Sequence, residues 1–136
     1  MVLTDYIYQI LEKEFFKMAV TLTNQSSPLA DKLVRDSNCG SVKQNVTGGS
    51  GVLYSVEIDN SGSEDVYFKL ADATTATIGT TAATMVLFVP ATKRRSFVFP
   101  KGITFSAGFT HWCTTGAAQS NTTLASSKPD VYYITT

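Results

Sequence analysis

The stretch Val52-Leu53-Tyr54-Ser55-Val56-Glu57-Ile58-Asp59, with the turn-forming Asn60-Ser61-Gly62-Ser63 behind it and Val66-Tyr67-Phe68-Lys69-Leu70 beyond, decides the fold class. Val52, Tyr54, Val56 and Ile58 alternate with Leu53, Ser55, Glu57 and Asp59, and a period of two lines one face of a pleated strand with apolar groups. Val66, Phe68 and Leu70 repeat the pattern against Tyr67 and Lys69. The two segments are therefore expected to be half-buried strands joined as a hairpin.

Downstream, Met85-Val86-Leu87-Phe88-Val89 is apolar at every position and stops at Pro90. Such a strand is expected to be covered on both sides, by the opposite sheet and by the N-terminal segment or a neighbouring subunit. Lys93-Arg94-Arg95 then opens Ser96-Phe97-Val98-Phe99, which Pro100-Lys101-Gly102 closes. Ile103, Phe105, Ala107 and Phe109 alternate in a further strand, and a polar stretch over 114–129 leads to Val131-Tyr132-Tyr133-Ile134. Upstream, Met18 to Thr23 alternate as a short strand. Residues 29–50 are less patterned: Leu33-Val34 is apolar, whereas Asp36-Ser37-Asn38-Cys39-Gly40 and Thr47-Gly48-Gly49-Ser50-Gly51 read as loops. About seven or eight short strands joined by Gly, Pro, Asn and Ser turns predict an all-β domain over 29–136, an antiparallel β-sandwich or jelly-roll-like body.

The period is different at the start of the chain. Between residues 3 and 17, Leu3, Ile7, Ile10, Leu11 and Phe15 follow the spacing of one helix face, with Glu12 and Lys13 on the polar side. This predicts a short N-terminal helix and arm over 1–28, whose apolar residues Ile7, Ile10, Leu11 and Phe15 lie in a groove of the same subunit or of a neighbour.

Composition narrows the function. The 11 basic and 11 acidic side chains cancel, so there is no electrostatic basis for binding nucleic acid or an anionic membrane surface. No apolar run is long enough to span a bilayer, and the first residues lack the succession of a signal peptide, so a soluble protein without an export address is expected. Ser and Thr together fill 32 of 136 positions, which suits polar outer faces of strands and their turns.

Reactive groups are few. Cys39 and Cys113 match no local metal-binding spacing, and His111 is the only imidazole, so neither a metal site nor a cofactor is expected. A disulfide between the two cysteines is an alternative to reduced thiols, the latter favoured by the missing signal peptide. The segment Thr110-His111-Trp112-Cys113 brings the histidine near a cysteine, but strand neighbours point to opposite faces, which is expected to keep nucleophile and base apart. No catalytic residue is assigned, and the chain is expected not to be an enzyme. Asp59 to Asp65 has the look of a calcium loop but carries Leu70 where the closing glutamate belongs. Trp112, Tyr54, Tyr67, Tyr132 and Tyr133 offer a sugar-stacking platform as the alternative to core and interface roles. Arg94 and Arg95 are read as a solvated strand edge or a docking contact, and Val86 and Phe88 as outward residues of the doubly apolar strand, together a candidate interface.

The segments Tyr54-Ser55-Val56-Glu57-Ile58-Asp59-Asn60, Val66-Tyr67-Phe68-Lys69-Leu70, Thr77-Ile78-Gly79-Thr80-Thr81, Val89-Pro90-Ala91 and Phe99-Pro100-Lys101-Gly102-Ile103 resemble small β-sandwich virion proteins of tailed bacteriophages, particularly cyanophage-like head decoration or cement proteins. The resemblance covers roughly residues 50–136, and its motifs are structural. It implies a protein made in the host cytoplasm and placed on the capsid surface of the virion. The implied partners are the major capsid protein and copies of itself in a homotrimer, with no small-molecule ligand. A carbohydrate-binding tail-fibre or host-recognition module is the alternative.

Overall fold

A computed structural model describes residues 20–24 and 32–136. The helix and arm expected over 1–28, with Ile7, Ile10, Leu11 and Phe15, lie outside the described residues apart from one short strand. Among the described residues eight strands are formed: β1 (Val20–Asn24), β2 (Lys32–Asp36), β3 (Gly51–Asn60), β4 (Val66–Asp72), β5 (Met85–Val89), β6 (Lys93–Phe105), β7 (Phe109–Thr114) and β8 (Asp130–Thr135). They make two antiparallel sheets, a five-stranded one in the order β1-β2-β8-β3-β6 and a three-stranded one in the order β5-β4-β7. The antiparallel β-sandwich is thus present, and the undecided stretch before residue 50 supplies β2.

The inner faces carry the core. Val34, Leu53, Val56, Ile58, Val131 and Tyr133 from the large sheet meet Val66, Phe68, Leu70, Val89, Phe109 and Cys113 from the small one, with Phe105 at the end of β6. The three-stranded sheet also has a covered outer face. There Ala71 and Trp112 pack with Ala76 under Val42, Ala73, Ile78 and Ala83, and the buried Lys69 donates from Nζ to the Ala118 carbonyl of the following loop. Three loops therefore do for the small sheet what a third layer would do, and every residue of β7 is buried.

Several local expectations are corrected. β3 and β4 are not a hairpin: β3 pairs with β6 and β8, whereas β4 pairs with β5 and β7 in the other sheet. The buried Asn60 makes the corner, its Nδ2 donating to the carbonyls of Glu64 and Pro90 while Oδ1 accepts from the Gly62 N–H. Two amphipathic strands whose apolar faces stack between sheets have the same alternation as two that pair within one sheet, so the pattern does not tell them apart.

Pro100-Lys101-Gly102 does not end a strand either. It lies inside the continuous β6, where the pairing jumps from Leu53↔Ile103 to Ser55↔Val98, so that Phe99 to Gly102 bulge opposite Tyr54. The same irregularity turns Leu53 into the core and leaves Val52 and Tyr54 half-buried, reversing the face expected for the start of β3. Gly102 takes φ +73° there, and a Cβ at that position would stand 2.3 Å from Val52 Cγ1. The alternation from Ile103 to Phe109 is interrupted in turn by residues 106–108, whose N–H groups all donate to the Asp72 carboxylate.

Candidate functional site

The inward-facing polar residues converge on one place between the sheets. Asp36 ends β2, His111 stands in the middle of β7, Tyr133 lies on β8 next to β2, and Cys39 sits in the loop that leaves β2. His111 Nε2 is 2.8 Å from Asp36 Oδ2, and Nδ1 is 2.9 Å from the Tyr133 hydroxyl. Asp36 Oδ1 accepts from the Asn38 N–H at 3.1 Å, which fixes the carboxylate at the mouth of the turn. An Nε2–H tautomer gives every polar atom of the relay a partner: the imidazole donates to the carboxylate and accepts from the phenol. Asp36 and His111 are both 0% exposed.

The backbone holds this arrangement from the open side of β7. His111 exchanges two backbone hydrogen bonds with Lys43, and Cys113 donates its N–H to the Gly40 carbonyl. The segment after β2 thus runs along the β7 edge and carries Cys39 to Cys113. Their Sγ atoms are 3.0 Å apart, both as thiols and both buried. Burial pushes the Cys39 thiol well above its ordinary pKa, with the neighbouring Cys113 and the Asp36 carboxylate acting in the same direction. Tyr133 is likewise raised, by burial and then by Cys39 and Asp36. A neutral thiol and a neutral phenol, sealed from solvent, give no nucleophile that a substrate can reach.

His111 and Cys113 stand two residues apart and share the inner face, so the expectation that the strand would separate them is corrected. Asp36, Cys39 and His111 offer three ligand atoms within 4.8 Å of one another. These donors come from a strand end, a loop and a second sheet, so no local spacing in the chain announces them. Asp36 carried no signal in a segment that reads as a loop, and Tyr133 was legible only as an aromatic.

The expected interface residues lie elsewhere and are divided by the pleat. Arg94 points outward from the large sheet, pairing with Glu57 and standing 4.0 Å from Asp59. Arg95 reaches across to β5, donating to the Phe88 carbonyl and lying over the Phe88 ring, which also meets Tyr67 at 5.0 Å. Val86 and Phe88 do face outward as expected, and among the described residues Val86 is 43% exposed. Among the described residues β6 has a hydrogen-bonded neighbour on one side alone, so the basic run opens an edge strand of the described sheet.

On the outer face of the large sheet Leu33, Ile134, Ser55 and Val98 form one cross-strand row, with Val98 69% exposed. Beside it lie the ion pairs Arg35–Asp130 and Arg94–Glu57. A shallow concavity of about 380 Å³ opens over this face between Leu33, Ser55, Glu57, Arg94, Tyr132 and Ile134. Trp112 and Tyr133, two members of the sugar-stacking alternative, are buried in the two cores and present no platform. Comparison with protein-family models and with curated proteins gives no match.

Proposed function

We propose that the chain is a viral structural protein, a decoration or cement protein of a phage head, and that it works by surface contact and not by chemistry. The observation that carries this reading is the split between interior and exterior: the histidine and both thiols are sealed between the sheets, while among the described residues a sheet face carries exposed Ile134 and Val98 beside the half-buried Leu33, framed by ion pairs. The virion location itself rests on the resemblance of residues 50–136 to head decoration proteins. Such a clamp stabilises assembled subunits by mass action, because it binds them and not their dissociated forms.

In this reading the chain self-associates as a homotrimer and contacts the major capsid protein. The outward Val86 on β5 and the Leu33–Ile134–Val98 row are the surfaces a neighbour would cover, and full burial of one such side chain contributes about 1.5–3 kcal/mol. Mass spectrometry of purified particles tests the proposal by copy number. Hundreds of copies per particle support decoration of a shell; a few copies, or none, overturn it. One observation favours the second reading, a glycan-binding fibre module: Tyr132, Glu57 and Arg94 line the outer concavity with an aromatic face and charged hydrogen-bonding groups. Saturable binding on a glycan array, lost in Tyr132→Ala, would support it.

A further inference from the structure

We propose that Asp36, Cys39 and His111, completed by Cys113, bind a single divalent ion of the zinc class in the core of the sandwich. Three donors of three kinds, a carboxylate oxygen, a thiol sulfur and an imidazole nitrogen, already lie within 4.8 Å of one another and all are buried. Cys113, two residues from His111 on β7, is the fourth donor, its sulfur 3.0 Å from that of Cys39. Donors around a tetrahedral zinc ion lie roughly 3 to 4 Å apart, since the bonds are about 2.0 to 2.3 Å long, so an ion entering the cluster spreads the 2.8 Å His111–Asp36 pair and the 3.0 Å sulfur pair and draws the two pairs toward each other. Calcium and magnesium are excluded by the donor set, which holds sulfur and nitrogen where those ions require oxygen.

The surroundings fit a liganded site. Nδ1 of His111 meets the Tyr133 hydroxyl at 2.9 Å, which is the outer hydrogen bond that orients a metal-bound imidazole. Asp36 Oδ1 is held by the Asn38 N–H, leaving Oδ2 for the ion. In the bound state the Nε2 proton moves to Nδ1, which then donates to the Tyr133 oxygen, and the imidazole stays neutral. Cys39 and Cys113 each release a proton to solvent, so two protons leave for each ion taken up, and the doubly positive ion meets a carboxylate and two thiolates, leaving one net negative charge in a place closed to water. A disulfide between the cysteines would satisfy the sulfurs but supply no positive charge to Asp36.

Because the donors are sealed, uptake is coupled to folding, and the test uses refolding of the full chain. The protein is unfolded with chelator and refolded with zinc chloride or with cobalt chloride, then freed of loose metal by gel filtration. The expected result is one zinc per chain by elemental analysis, a thiolate-to-cobalt charge-transfer band with the visible bands of tetrahedral cobalt, and a higher melting temperature than the chelator-treated form. Asp36→Asn and Cys113→Ser should each weaken metal retention by at least tenfold. The cobalt spectrum of the unaltered chain needs no variant to fold. Absence of metal and of the cobalt bands in a refolded chain overturns the proposal, and an intact mass lower by two hydrogens would then assign Cys39 and Cys113 to a disulfide instead.

Discussion

Tyr133 and His111 show how a single atom can matter where a polar pair is closed off from water. The phenol occupies Nδ1 of a ring that is fully buried, so Tyr133→Phe removes a partner and leaves a polar nitrogen without one. The expected loss is about 1–3 kcal/mol in chemical denaturation, with little change in the secondary structure seen by circular dichroism. Gly102 is constrained by shape and not by polarity. Its φ of +73° and the 2.3 Å approach of Val52 to a Cβ make Gly102→Ala strained on both counts, and a loss of about 1–3 kcal/mol is expected from the same measurement. Gly102→Asn, which tolerates positive φ better but still carries a Cβ, should recover only part of it.

At the scale of elements, the joint between β6 and β7 depends on the end of β4. The Asp72 carboxylate accepts from the N–H groups of Ser106, Ala107 and Gly108 and from the Ser106 hydroxyl. The Ala107 and Ser106 N–H groups, with lesser help from the Ser106 hydroxyl and Gly108, lower its pKa from the ordinary value of 3.8. A group lowered on folding contributes stability that is complete above its unfolded pKa and is lost as pH falls through the folded one. Stability should therefore be flat near neutrality in this respect and decline below about pH 4, and Asp72→Asn should flatten that decline. At neutral pH the variant should lose about 1 kcal/mol, the low end for a bond to a charged group because the turn is open to solvent. Melting temperature against pH, for both proteins, checks the two statements together. Glu64, lowered by the Ser126 hydroxyl and N–H, acts in the same direction.

At the scale of the whole molecule, Val98 on the outer face of the large sheet and Val86 on β5 stand exposed among the described residues. Multi-angle light scattering is expected to give three times the mass of the 14.7 kDa chain at micromolar concentration. Val98→Asp and Val86→Asp should leave melting of the isolated fold within about 0.5 kcal/mol, as surface changes do, while reducing self-association or attachment to particles. A monomer in both the unaltered and altered proteins would contradict the trimer. Removing residues 1–17 is expected to leave the sandwich folded and to weaken attachment to particles, since the amphipathic pattern of Leu3, Ile7, Ile10, Leu11 and Phe15 needs an apolar groove to be stable. Co-sedimentation with heads decides it.

Period-two alternation was enough to identify the all-β class and to locate β3 and β4 almost residue by residue, because a strand with one buried face must write that face into its sequence, while β5 and β8 were legible as short apolar runs bounded by turn residues. Alternation reports which side of a strand is buried and not which strand lies beside it, so the separation of β3 from β4 and the joining of the halves of β6 across Pro100 were decided only by packing. The polar cluster was hidden for a related reason. His111 and the cysteines were visible as residue types, but Asp36 reaches His111 only because the last residue of β2 faces β7 across the sandwich, a contact spanning 75 residues of chain. Distances of that kind are set by how two sheets stack, and no local pattern in the chain encodes them.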